Sequence, residues 1–238
     1  MLVLAAGYAT RLYPLTLETP KPLLSVGGRP MVENVLNAAE PIGAESTYLV
    51  TNSKFVRQFR EWASTYEREV RIVDDGTNDD ASRRGAIGDL ALVVEQERIQ
   101  DDLVVVAGDN LFGERLEGFP PRRDAPVLAV YDVGDLERIR EYNAIEVDGD
   151  GRISFFEEKP AEPRSTLTGI ALYSYPRHTL PEIGRYLAEG GNPDQPGRLV
   201  QWLYPQMPVY TWRVPGLWFD VGSKDQLAEA DRIFSAQA

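Results

Sequence analysis

Cations, a glycine turn and prolines are gathered near the start of the chain. The apolar run Met1–Leu4 is followed by the turn Ala5-Ala6-Gly7, and then by Arg11 and Lys21 in a proline-rich stretch. A glycine-bearing turn directly after a buried strand lets backbone N–H groups approach an anion closely. Because prolines stiffen the backbone, the two cations are held near that turn. This pattern predicts a binding site for a triphosphate.

Other polar positions also follow apolar runs. Gly108-Asp109-Asn110 comes directly after Leu103–Ala107, and Asp220 comes after Trp218-Phe219. In an open α/β sheet, ligands gather outside the carboxyl ends of the strands, so we expect these residues to meet there. Neither the phosphate-binding loop Gly-x-x-x-x-Gly-Lys-Ser/Thr nor the dinucleotide motif Gly-x-Gly-x-x-Gly occurs in the chain.

The pattern of apolar residues indicates the elements that position these groups. Short β-branched runs alternate with helical periodicity through the first half, which is typical of a mostly parallel sheet flanked by helices. Strands are predicted at Met1–Leu4, Thr47–Thr51, Val70–Val73 and Leu103–Ala107, the last of them at the centre of the sheet. Helices are predicted to open at Pro30, to follow a cap at Ser53, and to span Gly85–Glu97.

The second half is predicted to combine a hairpin with further strands and helices. The turn Asp148-Gly149-Asp150-Gly151 predicts pairing of Ala144–Val147 with Ile153–Glu157. The other predicted elements are strands at Thr168–Tyr175, Val209–Val214 and Trp218–Val221, a helix at Leu180–Ala188, and a last helix with a capping box of Ser223 and Gln226. Because no repeat, low-complexity tract or linker is visible, one domain over residues 1–238 is expected.

Composition and charge exclude several classes of protein. The 238 residues hold 25 basic and 37 acidic side chains, a net charge of −12, with no cysteine and one histidine. Disulfides, cysteine-based zinc sites and thiol catalysis are therefore excluded, and a histidine-rich metal centre is not expected. The acidic balance argues against a nucleic-acid partner. Since neither a long apolar stretch nor a secretory signal is visible, we expect no membrane association and a cytoplasmic location.

Several motifs together resemble the signature of the sugar-1-phosphate nucleotidyltransferases. Near the start of the chain they are Leu4-Ala5-Ala6-Gly7, Thr10-Arg11-Leu12, Pro14-Leu15-Thr16 and Pro20-Lys21-Pro22-Leu23. Further along they are Gly108-Asp109-Asn110, Glu157-Glu158-Lys159-Pro160, Thr168-Gly169-Ile170 and Trp218-Phe219-Asp220-Val221-Gly222. The chain is similar to the glucose-1-phosphate thymidylyltransferase and uridylyltransferase branches.

The resemblance implies the nucleotide-diphospho-sugar transferase fold, a Rossmann-like mixed, mostly parallel sheet flanked by helices. It also implies a nucleotide-binding half at about 1–115 and a sugar-binding half at about 116–238.

The resemblance implies a role for each matching residue. The catalytic cations would be Arg11 and Lys21, and the nucleotide would be bound by Ala5, Ala6, Gly7, Thr10, Gly85 and Gly88. The sugar phosphate would be bound by Asn143, Glu158, Lys159, Thr168 and Gly169, and Mg²⁺ by Asp109 and Asp220. Two carboxylates, with phosphate and water oxygens, suit Mg²⁺. The implied activity is transfer of a nucleotidyl group from a nucleoside triphosphate, with dTTP or UTP favoured, to a sugar 1-phosphate.

Three features depart from the family pattern. The loop Asp74–Asp80 lacks the glutamine-containing segment of well-studied thymidylyltransferases, so the choice among dTTP, UTP and CTP stays open. Asn143 follows Tyr142 where the family usually has glycine. The chain ends at Ala238, soon after the last predicted helix, so the hexapeptide-repeat β-helix of acetyltransferase-fused relatives and its acyl-transfer activity are not expected.

Two other functions stay open. One is a cytidylyltransferase that acts on a non-sugar phosphate, such as phosphocholine or inositol phosphate. The other is a non-catalytic paralogue that binds sugar nucleotides and regulates a partner. The sugar-type motifs at 158–159 and 168–169 favour a sugar, and retention of both cations and both carboxylates favours catalysis. The family tends towards dimers and tetramers, but no feature of the sequence decides whether this chain forms a homo-oligomer.

Overall fold

A computed structural model describes residues 1–236, a succession of short strands and helices. The strands are β1 (Leu2–Leu4), β2 (Ser25–Val26), β3 (Arg29–Pro30), β4 (Tyr48–Thr51), β5 (Arg71–Asp74), β6 (Leu103–Ala107), β7 (Asn110–Phe112), β8 (Val127–Asp132), β9 (Asn143–Val147), β10 (Ile153–Glu158), β11 (Leu167–Tyr175), β12 (Tyr210–Arg213) and β13 (Trp218–Asp220). The helices are α1 (Leu15–Glu18), α2 (Met31–Ala38), α3 (Val56–Thr65), α4 (Ala86–Gln96), α5 (Leu136–Ile139), α6 (Leu180–Ala188), α7 (Pro196–Leu203) and α8 (Lys224–Ser235). None of these helices has both the length and the apolarity needed to cross a membrane.

Seven strands form one mixed, mostly parallel sheet in the order β12-β8-β11-β6-β1-β4-β5. Parallel pairing joins β1 to β4, with Leu2 opposite Tyr48, and joins β4 to β5. β8 pairs in parallel with β12 and antiparallel with β11. The predicted fold class is confirmed, and β6 lies at the centre of the sheet as predicted. Its Leu103 and Val106 are at most 1% exposed, as expected of a strand covered on both faces.

Two antiparallel ribbons carry three of the predicted site residues. β7 pairs with β13, and this register puts Asp220 opposite Asn110. β9 pairs with β10, and this register puts Glu158 opposite Asn143. The second ribbon is the hairpin that its Asp-Gly turn predicts.

The chain forms two compact units and passes between them more than once. The first unit holds residues 1–85, 106–118 and 215–236, and the second holds residues 86–105 and 119–214. The predicted halves at about 1–115 and 116–238 stay a prediction. Residues 86–105 fall in the predicted first half but belong to the second unit. Residues 215–236 fall in the predicted second half but belong to the first unit.

An apolar core in the first unit anchors the β7–β13 ribbon. Leu111 of β7 and Val221, just after β13, are completely buried against Met31 of α2 and against Ala230 and Phe234 of α8. Burial of such side chains contributes roughly 1.5–3 kcal/mol each. The position of Asp220 therefore depends on how α8 packs.

Most predicted elements are confirmed, with shifts of one or two residues at their ends, and α6 spans Leu180–Ala188 as predicted. The predicted cap at Ser53 is wrong, because α3 begins at Val56 and the Ser53 hydroxyl donates to Asp74 Oδ1 over 2.6 Å. At α8, Ser223 Oγ accepts from the N–H of Gln226 as predicted, but Gln226 Oε1 accepts from the N–H of Gly222. The elements that the sequence did not predict are β2, β3, β7, β8, α1, α5 and α7.

Candidate active site

The ammonium group of Lys21 lies between the carboxylates of Asp109 and Asp220. Its Nζ is 2.7 Å from Asp109 Oδ2 and 3.9 Å from Asp220 Oδ1. The lysine stands between two buried prolines, Pro20 and Pro22, and its side chain is 11% exposed. The two carboxylate side chains are 30% and 32% exposed. The structure thus brings together three predicted site residues that are far apart in sequence, and leaves the carboxylates partly open to solvent.

Lys21 and the two carboxylates attract each other electrostatically. Burial raises the pKa of Asp109, but the charge and the hydrogen bond of Lys21 outweigh burial and hold that pKa below its ordinary value. Burial lowers the pKa of Lys21, but attraction to Asp109 and Asp220 outweighs it, so that the pKa is raised. Lys21 and Asp109 are therefore both charged near neutral pH.

A relay of two hydrogen bonds holds the other oxygen of Asp109. Asn110 Nδ2 donates to Asp109 Oδ1 over 3.1 Å, and Trp218 Nε1 donates to Asn110 Oδ1 over 2.8 Å. Asn110 and Trp218 are 5% and 7% exposed. Because β13 also carries Asp220, one ribbon holds both the relay and the second carboxylate.

The predicted site residues do not include Asn110 or Trp218. Their contact joins residues 108 positions apart and depends on the register of β7 against β13, which no local pattern reveals. One signal in the sequence points to Asn110, which is an asparagine at the start of an otherwise apolar strand. Such a residue is buried here, and a buried polar group needs hydrogen-bond partners.

The donor set at Lys21 fits a magnesium ion. Asp109 and Asp220 offer hard oxygen ligands, and both face a point that a cationic group already occupies. Within residues 1–236, no group of three or more acidic or histidine side chains could hold a metal. The remaining ligands of an ion here would therefore be phosphate and water oxygens.

The turn after β1 is tied down on its buried side and open above Gly7. The N–H of Ala5 donates to the carbonyl of Val50, and Asn52 Nδ2 donates to the carbonyl of Ala6, each over 2.9 Å. A Cβ added to Gly7 would meet no atom within 4 Å. The absence of a side chain there leaves room for a ligand to approach the backbone closely, as the predicted role requires.

Thr10 and Arg11 are exposed on a single helical turn that follows this loop. The preceding Ala9 has a left-handed φ of 48°, and its carbonyl accepts from the Thr16 hydroxyl over 2.8 Å. Arg11 Nη1 lies 3.9 Å from the place where a Cβ on Gly222 would be. Arg11 is therefore near the segment that follows β13.

A buried polar network joins this loop to the loop after β5. Asp75 is 2% exposed, and its Oδ1 accepts from the N–H of Thr77 over 2.7 Å. The hydroxyls of Thr77 and Tyr8 are 3.2 Å apart. Burial raises the pKa of Asp75 more than its hydrogen bonds with Thr77 lower it. Arg84 Nε donates to the Asp75 carbonyl over 2.6 Å, which ties Arg84 to the backbone of the same loop.

The two glycines predicted to bind nucleotide occupy different settings. Gly85 is buried, has a left-handed φ of 81°, and directly precedes α4 in the first unit. Gly88 lies in the first turn of α4, which belongs to the second unit.

Three predicted sugar-binding residues form a cluster in the second unit. Asn143 Oδ1 accepts from the N–H of Gly169 over 2.6 Å, and Asn143 Nδ2 donates to the Gly169 carbonyl over 3.1 Å. Thr168 Oγ1 donates to Asn143 Oδ1 over 3.2 Å. The Asn143 amide thus holds the β11 backbone, and its contact with a sugar phosphate stays a prediction.

Glu158 and Lys159, at the end of β10, differ in exposure. Among the residues that the structure describes, buried Glu158 Oε2 has no hydrogen-bond partner. Burial raises the pKa of Glu158, and attraction to Arg198 and Lys159 opposes this. Lys159 is exposed, with a left-handed φ of 49°, and its N–H donates to the Tyr142 carbonyl over 2.7 Å. Because an unpaired buried oxygen is costly, the Glu158 carboxylate is suited to a ligand that donates hydrogen bonds.

The fold is that of the α/β proteins that bind ligands outside the carboxyl ends of their strands. The model of the nucleotidyl transferase family matches residues 1–237. The chain therefore belongs to the nucleotidyl transferase family, and the resemblance to sugar-1-phosphate nucleotidyltransferases is confirmed.

Individual relatives match most of the chain. The bifunctional protein GlmU of Methanococcus aeolicus is 25% identical over 239 residues, which cover 96% of this chain and 53% of that protein. A glucose-1-phosphate thymidylyltransferase of Mycolicibacterium smegmatis is 27% identical over 244 residues, covering 96% of this chain and 80% of that protein. A crystal structure of UDP-glucose pyrophosphorylase with UDP-glucose superposes with a TM-score of 0.84 at 18% identity, covering 100% of this chain and 98% of the other. This chain spans about half the length of the GlmU relative.

Proposed function

We propose that this protein transfers a nucleotidyl group from a nucleoside triphosphate to a sugar 1-phosphate, giving a nucleotide sugar and pyrophosphate. The observation that carries the proposal is the Lys21 ammonium, 2.7 Å from Asp109 and 3.9 Å from Asp220, in a chain of the nucleotidyl transferase family. The favoured donors are dTTP and UTP. The thymidylyltransferase of M. smegmatis, which aligns with 96% of this chain, supports that choice.

In the proposed reaction, an oxygen of the sugar 1-phosphate attacks the α-phosphorus of the nucleotide. The new phosphorus–oxygen bond forms while the bond from the α-phosphorus to the bridging oxygen of the β-phosphate breaks. The electron pair of that bond leaves with pyrophosphate. Because the attacking oxygen is already anionic at neutral pH, no general base is needed. The barrier is repulsion between two anions, which positioning and positive charge lower.

The cations of the chain supply that positive charge. Exposed Arg11 neutralises charge on the β- and γ-phosphates, and Lys21 contacts the α-phosphate and the sugar phosphate. Backbone groups at the open turn around Gly7 hold the nucleotide. Asp109 and Asp220 would hold Mg²⁺, which when bound supplies further neutralisation of phosphate charge.

The residues proposed for the acceptor favour a sugar. Buried Glu158 Oε2 accepts from a sugar hydroxyl, and exposed Lys159 holds the phosphate of the sugar. Thr168 and Gly169 line the sugar. Phosphocholine has no hydroxyl group to offer Glu158, so a sugar 1-phosphate suits this carboxylate better than phosphocholine does.

Pyrophosphate release in the presence of Mg²⁺ tests the proposal. Each of dTTP, UTP, CTP, ATP and GTP is paired with several sugar 1-phosphates, with phosphocholine and with inositol phosphate. We expect release with dTTP or UTP and a sugar 1-phosphate. Release with CTP and phosphocholine or inositol phosphate, and with no sugar 1-phosphate, would identify a cytidylyltransferase instead. Binding of nucleotide sugars without any release would identify a non-catalytic paralogue.

The substitution Asp109→Asn is expected to lower turnover by about 100- to 1000-fold, because it removes a charge that holds the metal and Lys21. Asp101→Asn is the matched control, since this exposed aspartate precedes β6 whereas Asp109 follows it. The control should keep the rate of the unaltered protein. Unchanged turnover of Asp109→Asn with Mg²⁺ would show that the metal assignment is wrong.

A further inference from the structure

We propose that Lys21 keeps divalent metal away from Asp109 and Asp220 until a nucleotide binds. The inference rests on the proposed function, because it takes these carboxylates as metal ligands. Lys21 would then be a positioning residue for metal entry as well as a phosphate contact.

The geometry places the ammonium where a metal would sit. Lys21 Nζ is 2.7 Å from Asp109 Oδ2 and 3.9 Å from Asp220 Oδ1, so one positive charge already serves both carboxylates. A magnesium ion binds carboxylate oxygen at about 2.0–2.1 Å, so an ion held by these two oxygens would lie close to the ammonium and be repelled by its positive charge.

The lysine is held in this position by its surroundings. Its side chain is 11% exposed, and the prolines on both sides of it are buried. The second oxygen of Asp109 accepts from Asn110, which Trp218 holds in turn. The carboxylate therefore cannot easily turn away from the ammonium to meet a metal ion.

A nucleoside triphosphate changes this balance. Its phosphates offer the ammonium another anionic partner, and they bring further oxygen ligands to the metal. Metal and nucleotide should therefore each strengthen the binding of the other, and this coupling is reciprocal. Free metal alone should bind weakly to the protein.

Binding of Mn²⁺, followed by the electron paramagnetic resonance of the free ion, tests the proposal without nucleotide and without turnover. Lys21→Met removes the charge and keeps most of the length of the side chain. We expect it to tighten Mn²⁺ binding by about tenfold or more, because a unit charge within 4 Å in partly buried surroundings changes affinity at least that much. Lys54→Met, at an exposed lysine of the same unit, removes the same net charge and should leave the Mn²⁺ affinity unchanged.

A double variant identifies the site. Adding Asp109→Asn to Lys21→Met should abolish the gain in Mn²⁺ affinity. A gain that survives Asp109→Asn would overturn the proposal, since the metal would then bind elsewhere. Thermal unfolding confirms that each variant is folded, and Lys21→Gln, which keeps a donor for Asp109 without the charge, replaces Lys21→Met if that variant does not fold.

The result separates this proposal from the proposed function. If Lys21→Met binds Mn²⁺ no more tightly than the unaltered protein, while the unaltered protein releases pyrophosphate, the metal-exclusion role is wrong and the enzymatic function stands. If Mn²⁺ binding tightens but no substrate pair releases pyrophosphate, the metal-exclusion role stands and the proposed function fails.

Discussion

Trp218 is joined to the site by a hydrogen bond from its indole ring. Its Nε1 donates to Asn110, and Asn110 donates to Asp109. Trp218→Phe keeps an aromatic ring and removes the donor. Since partners that orient a metal ligand typically change metal affinity or activity by about 10- to 100-fold, we expect the Mg²⁺ concentration for half-maximal rate to rise about tenfold.

The matched control for this variant is Trp202→Phe in the second unit. Trp202 also donates through Nε1, to Glu189 over 3.2 Å, but that bond is exposed. The control should keep the Mg²⁺ dependence of the unaltered protein. An unchanged Mg²⁺ dependence in Trp218→Phe would show that the hydrogen bonds from Trp218 and Asn110 do not affect the metal site.

Glu158 makes stability depend on pH. Because burial raises its pKa above the ordinary 4.5, the folded state binds the proton more tightly than the unfolded state does. The contribution of Glu158 to stability therefore falls as the pH rises from 4.5 towards the raised value. Glu158→Gln does not titrate, so its free energy of unfolding relative to the unaltered protein should increase over that range and then level off.

Denaturant unfolding at a series of pH values measures this difference. Glu146→Gln, at an exposed glutamate on the neighbouring strand β9, is the control for removal of one negative charge. A difference between Glu158→Gln and the unaltered protein that does not change with pH would show that Glu158 is not the titrating group.

At the scale of the element, Gly169 is required by packing between strands. A Cβ there would lie 2.5 Å from Leu128 Cδ2 and 2.9 Å from Ile145 Cδ1. Gly169→Ala should therefore destabilise the protein by about 1–3 kcal/mol, because a well-packed region accommodates an added methyl group only by shifting its neighbours. Denaturant unfolding measures the free energy change.

A glycine-to-alanine substitution in α6 is expected to have the opposite effect on stability. A Cβ on Gly184 would meet no atom within 4 Å, so Gly184→Ala should stabilise the protein by about 0.5–1 kcal/mol through helix propensity. A stable Gly169→Ala variant would mean that β11 can shift, and that the Asn143 contacts do not fix its position.

The local pattern of residue types was sufficient to predict many of the strands and helices. The continuous apolar run of β6 predicted a central strand, and the Asp-Gly turn predicted the β9–β10 hairpin. Local pattern failed at α3, where Ser53 donates to Asp74 on another strand instead of capping the helix. Competition from a tertiary partner cannot be seen in a short window of sequence.

At the scale of the molecule, the net charge of −12 hides a local balance of the opposite sign. Residues 1–30 hold Arg11, Lys21 and Arg29 against Glu18. The field that a nucleotide meets depends on nearby charges more than on the sum over the chain. The acidic surface should still repel a nucleic-acid backbone.

Fluorescence anisotropy with a labelled DNA duplex checks this expectation. At physiological salt we expect no binding, even in the range of about 1–100 μM where non-specific binders associate. Salt-dependent binding in that range would overturn the exclusion of nucleic acid.

The sequence alone was enough for the family and the fold class, because these depend on residue types in a fixed order along the chain. The tertiary structure decided which of the charged and polar residues lie together. It put Lys21 between Asp109 and Asp220, tied Asp109 to Trp218 through Asn110, and left Glu158 Oε2 buried and unpaired among the described residues. Such contacts depend on strand register and on packing between segments far apart along the chain, such as those of Lys21 and Asp220, and neither is written in any local stretch of sequence.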